Sequence, residues 1–306
     1  MRIKSLDVLK LLMAVFIVLF HFHFLKDISP KTSLFLSETL FRLPVPIFII
    51  ISGFFYSQLK DKKKYLKDIL LIYAAWSVLY IPYWQLDLRP VKIVEYIFFG
   101  YFQLWYLTSI IITFLLFTLF RKSHFICISI SVMFFLLNLL IEYGITYDIL
   151  DFGIYENMAR RNIFLVFPYF YIGYLIYHTN AQQYFSIKKA SLLLILSILL
   201  FLGENLIHIQ HAIHYNLDNF VTLPFVSFFL IIFCLKFPGQ WNNKKISYFS
   251  EKLFLTHGLF LILIFKLPNN ETFISLIVLF FSFILSLILY YFKSSHFYKK
   301  LVFFKG

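Results

Sequence analysis

Apolar residues in this chain fall in long blocks separated by short polar stretches, and the blocks share one recurring length. A helix that crosses a bilayer needs roughly 17–25 mostly apolar residues. Ten blocks meet that requirement: about 8–25, 40–58, 67–84, 96–120, 123–141, 162–178, 189–207, 219–235, 247–265 and 272–292. The second, third, fifth, eighth and tenth are nearly free of charge. The seventh has only a short uncharged stretch (190–203), and the ninth contains Glu251 and Lys252. This pattern predicts an all-α fold, a polytopic transmembrane helix bundle of about ten spans. The bundle is expected to take up residues 1–306 as a single domain, with no appended soluble domain.

Charge placement orients the bundle, because Lys and Arg in short loops stay on the cytoplasmic side. With the N-terminus inside, the cytoplasmic segments hold about eighteen basic residues, including the cluster Lys60, Lys62, Lys63, Lys64 and Lys67. The opposite side holds about eight, among them Lys26, Arg42, Arg160 and Arg161, together with acids such as Asp27, Glu38, Glu142 and Glu204. Both termini are therefore expected in the cytoplasm. Arg2 and Lys4 ahead of an apolar run resemble a secretory signal, but Lys10, His21 and His23 within it and the lack of a small-residue cleavage site predict an uncleaved first span.

Composition narrows the class further. Hydrophobic residues make up 61% and charged ones 14%, against about 45–50% and about 25% in soluble domains. The net charge of +13 sits in short clusters between oily segments, which excludes a nucleic-acid binder. Cys127 and Cys234 both fall in apolar runs, so a disulfide scaffold is excluded and small buried side chains are expected. Walker, dinucleotide-glycine and Ser-His-Asp patterns are absent from the sequence.

The first span carries the chemistry. Ionisable groups inside a bilayer are costly and mark function by default. At about 100° per residue, Asp7, Lys10 and His21 fall within an arc of roughly 60°, and His21 lies about 16 Å above Lys10. Imidazole titrates near neutrality and suits a general base. Asp7 is roughly 21 Å from His21 along the axis and cannot orient it; a partner must come from another span. The plain alternative is an i,i+3 ion pair at the interface and a helix-contact histidine.

The segment Leu6-Asp7-Val8-Leu9-Lys10 with His21 resembles the acyltransferase 3 family of membrane acyltransferases. Further landmarks follow in family order: Pro46 to Phe54 with Ser52-Gly53, the basic run Lys63-Lys64-Tyr65-Leu66-Lys67, and Leu104-Trp105-Tyr106-Leu107, where Gln103 replaces a frequent His. Arg161 with Phe164, Pro168 and Gly173, and Leu255-Thr256-His257, complete the set.

The resemblance implies transfer of an acyl group, commonly acetyl from acetyl-CoA, to a hydroxyl of a cell-surface carbohydrate or its lipid-linked precursor in a bacterial inner membrane. It implies His21 as catalytic base, with Asp7 and Lys10 as the matching charged pair. No bound cofactor or metal is expected, and the partners are membrane lipid, acyl-CoA and the carbohydrate acceptor.

Other candidates carry two readings. Ser52-Gly53 provides close helix approach or a hydrogen bond at the site. Trp105 and Tyr106 form part of an aromatic belt or stack on a sugar ring. Arg161 holds an acidic acceptor or pairs with loop acids, and His257 is a site candidate. His208, His211 and His214 at spacings of three suit chelation poorly. The rival function is a transporter or exporter of a glycan or its precursor, with Lys10, His21 and Arg161 lining a conduit.

Overall fold

A computed structural model describes residues 3–83, 90–152, 162–211, 217–237, 239, 245–264 and 271–294. Among them the regular structure is entirely helical. The α-helices are α1 (Lys4–His21), α2 (Pro30–Glu38), α3 (Pro44–Tyr56), α4 (Lys62–Tyr80), α5 (Pro90–Phe99) and α6 (Trp105–Phe120), followed by α7 (His124–Thr146), α8 (Ile163–His178), α9 (Ile187–His211), α10 (Leu223–Leu235), α11 (Lys245–Ile264) and α12 (Glu271–Ser294). Polar side chains fix several starts: Asp61 accepts from the Lys64 N–H at α4, Ser123 from Ile126 at α7, and Asn162 from Phe164 at α8.

Each predicted block contains a helix, with two differences. The second block opens with a 3-10 turn, Leu40–Arg42, and its helix begins at Pro44, a residue suited to a first turn because it has no N–H to pair. The fourth block is two helices, α5 and α6. The break falls at Gly100, which adopts φ +82° and whose absent Cβ would come within 2.5 Å of the Leu104 and Trp105 backbone; only glycine fits there.

Among the described residues, five helical stretches are long and apolar enough to cross a membrane: Pro30–Tyr56, Phe102–Phe120, His124–Thr146, Ile187–His211 and Glu271–Tyr291. Helices α8 and α10 are apolar but shorter, while α1, α4 and α11 carry charges that break their apolar runs. Helices α7 and α9 turn the usual protein pattern inside out. They expose Phe125, Leu140, Leu192 and Leu199 and completely bury Asn138, Glu142 and Asn205. That inversion is stable where the surroundings are hydrocarbon.

The chain divides into two compact units, a central one of residues 45–238 and a terminal one combining 2–44 with 239–306. Within the central unit, α3 and α8 cross at two glycines. A Cβ on Gly53 would lie 1.9 Å from the Phe170 carbonyl oxygen, and one on Gly173 would lie 1.9 Å from that of Ile50. Small residues let backbones approach this closely. Elsewhere in this unit, Glu204 of α9 accepts hydrogen bonds from the Val221 and Thr222 N–H groups at 2.8 and 2.9 Å. Glu142 of α7 accepts from the Asp218 N–H at 3.1 Å. Asn219 donates to Asn138 and accepts from Tyr169. The segment 217–222 is thus hung on side chains of α7, α8 and α9.

Within the terminal unit, contacts give helix directions. The Lys4 N–H meets the Gly239 carbonyl, Lys10 meets Ser247, and His21 meets His257. Both partners advance together along the sequence, so α1 and α11 run parallel. Helix α12 starts at the far end of α1, where Lys26 pairs with Glu271 at 2.8 Å and Asp27 accepts from the Thr272 N–H at 3.1 Å. It therefore runs antiparallel to both.

Candidate active site

Helix α1 turns one face inward, burying Leu6, Asp7, Leu9, Met13, Ala14, Ile17 and Val18. Near its start, Asp7 is only 3% exposed, and its carboxylate lies 2.6 Å from the Lys10 ammonium. The i,i+3 ion pair of the plain alternative is therefore present. Lys10 also donates to Ser247 Oγ of α11 at 2.7 Å, so the ammonium bridges two helices as well as neutralising the acid.

At the other end of the same wall, His21 is half-buried and its ring stacks on that of His257, with centroids 5.4 Å apart and planes at 21°. Phe20 packs edge-on against His21 at 5.2 Å. His257 is fully buried, and its Nδ1 lies 3.2 Å from the Leu253 carbonyl oxygen. A carbonyl only accepts, so Nδ1 carries the proton and Nε2 keeps the lone pair in the neutral ring. The sequence required a second span beside His21; in the terminal unit that span is α11.

One feature of this unit escaped the sequence reading. Arg42 and Glu38 are 5% and 6% exposed, and both Arg42 Nε and Nη2 donate to Glu38 Oε2, at 3.0 and 2.7 Å. The guanidinium also lies 4.7 Å from the centre of the Phe20 ring, next to His21 in sequence. The i,i+4 spacing is the available signal, but by charge type alone both residues place only on the outer side. Ser247 was missed as well, because a serine in a helix carries no distinguishing pattern.

The remaining candidates belong to the central unit. Ser52 donates to the Phe48 carbonyl at 2.8 Å, and its oxygen lies 3.5 Å from Tyr106 Oη. Trp105 opens α6, with its ring perpendicular to that of Tyr106. Gln103 is buried and donates to the Tyr80 hydroxyl. Lys60, Lys63, Lys64 and Lys67 are exposed, whereas the Lys62 ammonium lies 4.6 Å from the centre of the Tyr56 ring. His208 is buried and shares a 2.8 Å hydrogen bond with Tyr147. Arg160, Arg161 and His214 lie outside the described residues. Among the described residues, no group of three His, Cys, Asp or Glu side chains is placed to hold a metal ion.

Helices that turn apolar side chains outward while burying carboxylates and amides define a membrane protein. The chain belongs to the acyltransferase 3 family, whose model, described as an acyltransferase domain, matches residues 3–291. It is similar to an amino-acid racemase of Enterococcus faecalis, 23% identical across 88% of this chain and 42% of that protein. It is also similar to a serine/alanine racemase of Enterococcus gallinarum, 24% identical across 84% of this chain and 40% of that protein. The chain thus spans about two fifths of the length of the curated relatives it matches. No solved structure matches it.

Proposed function

We propose that this protein is an O-acyltransferase of the bacterial inner membrane. It moves an acyl group, acetyl in the first instance, from cytoplasmic acyl-CoA to a hydroxyl of a cell-surface polysaccharide or its lipid-linked precursor. The observation that carries the reading is the histidine pair shared by α1 and α11, on the same wall as the Asp7–Lys10–Ser247 cluster. Family membership supports the reaction class. The racemase names attach to proteins more than twice as long, and the stretch they share with this chain is the acyltransferase-family one.

In this reading ten helices span the bilayer with both termini in the cytoplasm. The parallel course of α1 and α11 and the antiparallel course of α12 agree with that count, since the first and ninth spans ascend and the tenth descends. Lys10 then faces the cytoplasmic half, where the phosphates of CoA enter and a cation is useful. His21 lies about 16 Å higher, towards the side from which the carbohydrate arrives.

The chemistry follows from the rings. Stacked imidazoles repel when both are charged, and a buried charge is costly. His257, with its Nδ1 proton on the Leu253 carbonyl, serves as the neutral, fixed platform, and His21 is the ring that takes up and returns the proton. His21 accepts the proton of the acceptor hydroxyl as that oxygen attacks the thioester carbonyl. The new C–O ester bond forms, the C–S bond breaks, and the imidazolium returns its proton to the departing CoA thiolate. Orientation of the two substrates between helices supplies much of the acceleration.

Mass analysis of surface polysaccharide, with and without the gene and with His21→Ala in its place, tests the reading. Loss of ester-linked acyl groups from a polymer still present at the surface supports it. Loss of the polymer itself from the surface overturns it in favour of a transporter.

A further inference from the structure

We propose that a recess between α7, α8 and α10 binds one acyl chain of a bilayer phospholipid. The inference is independent of the acyl-transfer reading and uses only the membrane setting. The recess has a volume of about 330 Å³, at the lower end of the roughly 300–1,000 Å³ of small-molecule sites. Its origin is short residues facing one another: Ser131 of α7, Pro168 of α8 and Pro224 of α10 leave room that Phe135, Ile172 and Phe225 do not fill.

What occupies the recess follows from its lining. The polar atoms of the lining residues are turned away and already bonded. Ser131 Oγ donates to the Cys127 carbonyl at 2.8 Å, and the Tyr169 hydroxyl donates to Asn219 at 2.6 Å. A water molecule needs two to four polar partners, and this wall presents carbon. An empty recess would forfeit dispersion contacts all round. The flanking side chains Val132, Leu136 and Phe225 are 54%, 53% and 55% exposed, on helices that turn outward to hydrocarbon, so the mouth opens onto lipid tails.

The wall is also held in shape. Val221, which lines the recess, is fixed through its N–H on Glu204, and Tyr169 through its bond to the fully buried Asn219. A preformed site costs less to fill than one that must be ordered. The exposed face of α9, where Leu192 and Leu199 are 66% and 60% exposed, serves as the comparison surface.

The test uses the full chain in phosphatidylcholine nanodiscs containing phosphatidylcholine with a diazirine in its acyl chain. After irradiation, adducts are mapped by peptide mass spectrometry. Adducts on Phe135, Ile172 and Phe225 should exceed those on Leu192 and Leu199 severalfold. The excess should saturate as the labelled fraction rises, vanish in Ser131→Phe and persist in Leu192→Phe. Should Ser131→Phe fail to fold, the saturation curve decides alone. Equal, non-saturating labelling on both faces overturns the proposal, since it describes ordinary surrounding lipid. Two other results also overturn it: displacement by trace polyprenyl phosphate but not by unlabelled phosphatidylcholine, or cross-links between protein copies through α7 and α10 instead of lipid adducts.

Discussion

His21 and His257 stack at 5.4 Å although they come from opposite ends of the sequence. If His21 is the base, His21→Ala removes proton acceptance from the reaction. A loss of roughly 10²–10⁴-fold in transfer is expected, the usual contribution of general-base catalysis. His257→Phe keeps a flat ring beside His21 and should retain more activity than His257→Ala. Transfer of labelled acetyl in isolated membranes measures both. Equal activity of the two His257 variants would remove the positioning role.

Lys10 lies between the buried carboxylate of Asp7 and the Ser247 hydroxyl. Lys10→Ala should raise the acetyl-CoA concentration needed for half-maximal transfer. It also strands a buried acid, and breaking a buried pair costs about 3–5 kcal/mol. The double substitution Asp7→Asn with Lys10→Met should therefore restore folding without restoring donor affinity. Recovery of both would reduce the lysine to a structural ion.

Gly53 and Gly173 allow α3 and α8 to touch backbone to backbone. Gly53→Ala or Gly173→Ala should destabilise by about 1–3 kcal/mol, as overpacking does. Gly203 is a control within the same chain, because nothing lies within 4 Å of its Cβ position. There alanine should be neutral or stabilising by up to about 1 kcal/mol through helix propensity. Thermal unfolding in detergent separates the three variants.

Asp27 caps the start of α12, and the Thr272 hydroxyl, donating to its carboxylate, is the main cause that holds Asp27 below the usual carboxylate range. A lowered folded-state pKa means stabilisation that is present above the ordinary carboxylate pKa. It is lost as pH falls through the lowered value. Asp27→Asn should differ most from the parent near neutral pH, with the gap closing on acidification. A midpoint of unfolding measured against pH checks the sign; a gap that widened in acid would contradict it.

Much of this was legible in the sequence because apolar block length and the phase of Asp7, Lys10 and His21 on a helix are local properties. His257 was nominated from a short late motif, but its position beside His21 depends on long-range packing that no local pattern encodes. The break at Gly100 was missed because the apolar run continues through it, and hydropathy is blind to a left-handed φ. Glu38 and Arg42 read as outer-side charges, since nothing in their types distinguishes an ion pair in water from one buried against Phe20. Ser52 and Trp105 lie where the motifs put them on α3 and α6, with local partners that fit packing as well as chemistry.

The terminal unit draws its two walls from the first and last stretches of the chain, and Lys10 is 237 positions away from Ser247. During synthesis α1 must wait in the bilayer through the insertion of everything between. Its own Asp7–Lys10 pair gives it a neutralised core for that interval. If His21 is the base, competence waits for α11, and a ribosome stalled before that helix would leave a nascent chain inserted yet inert.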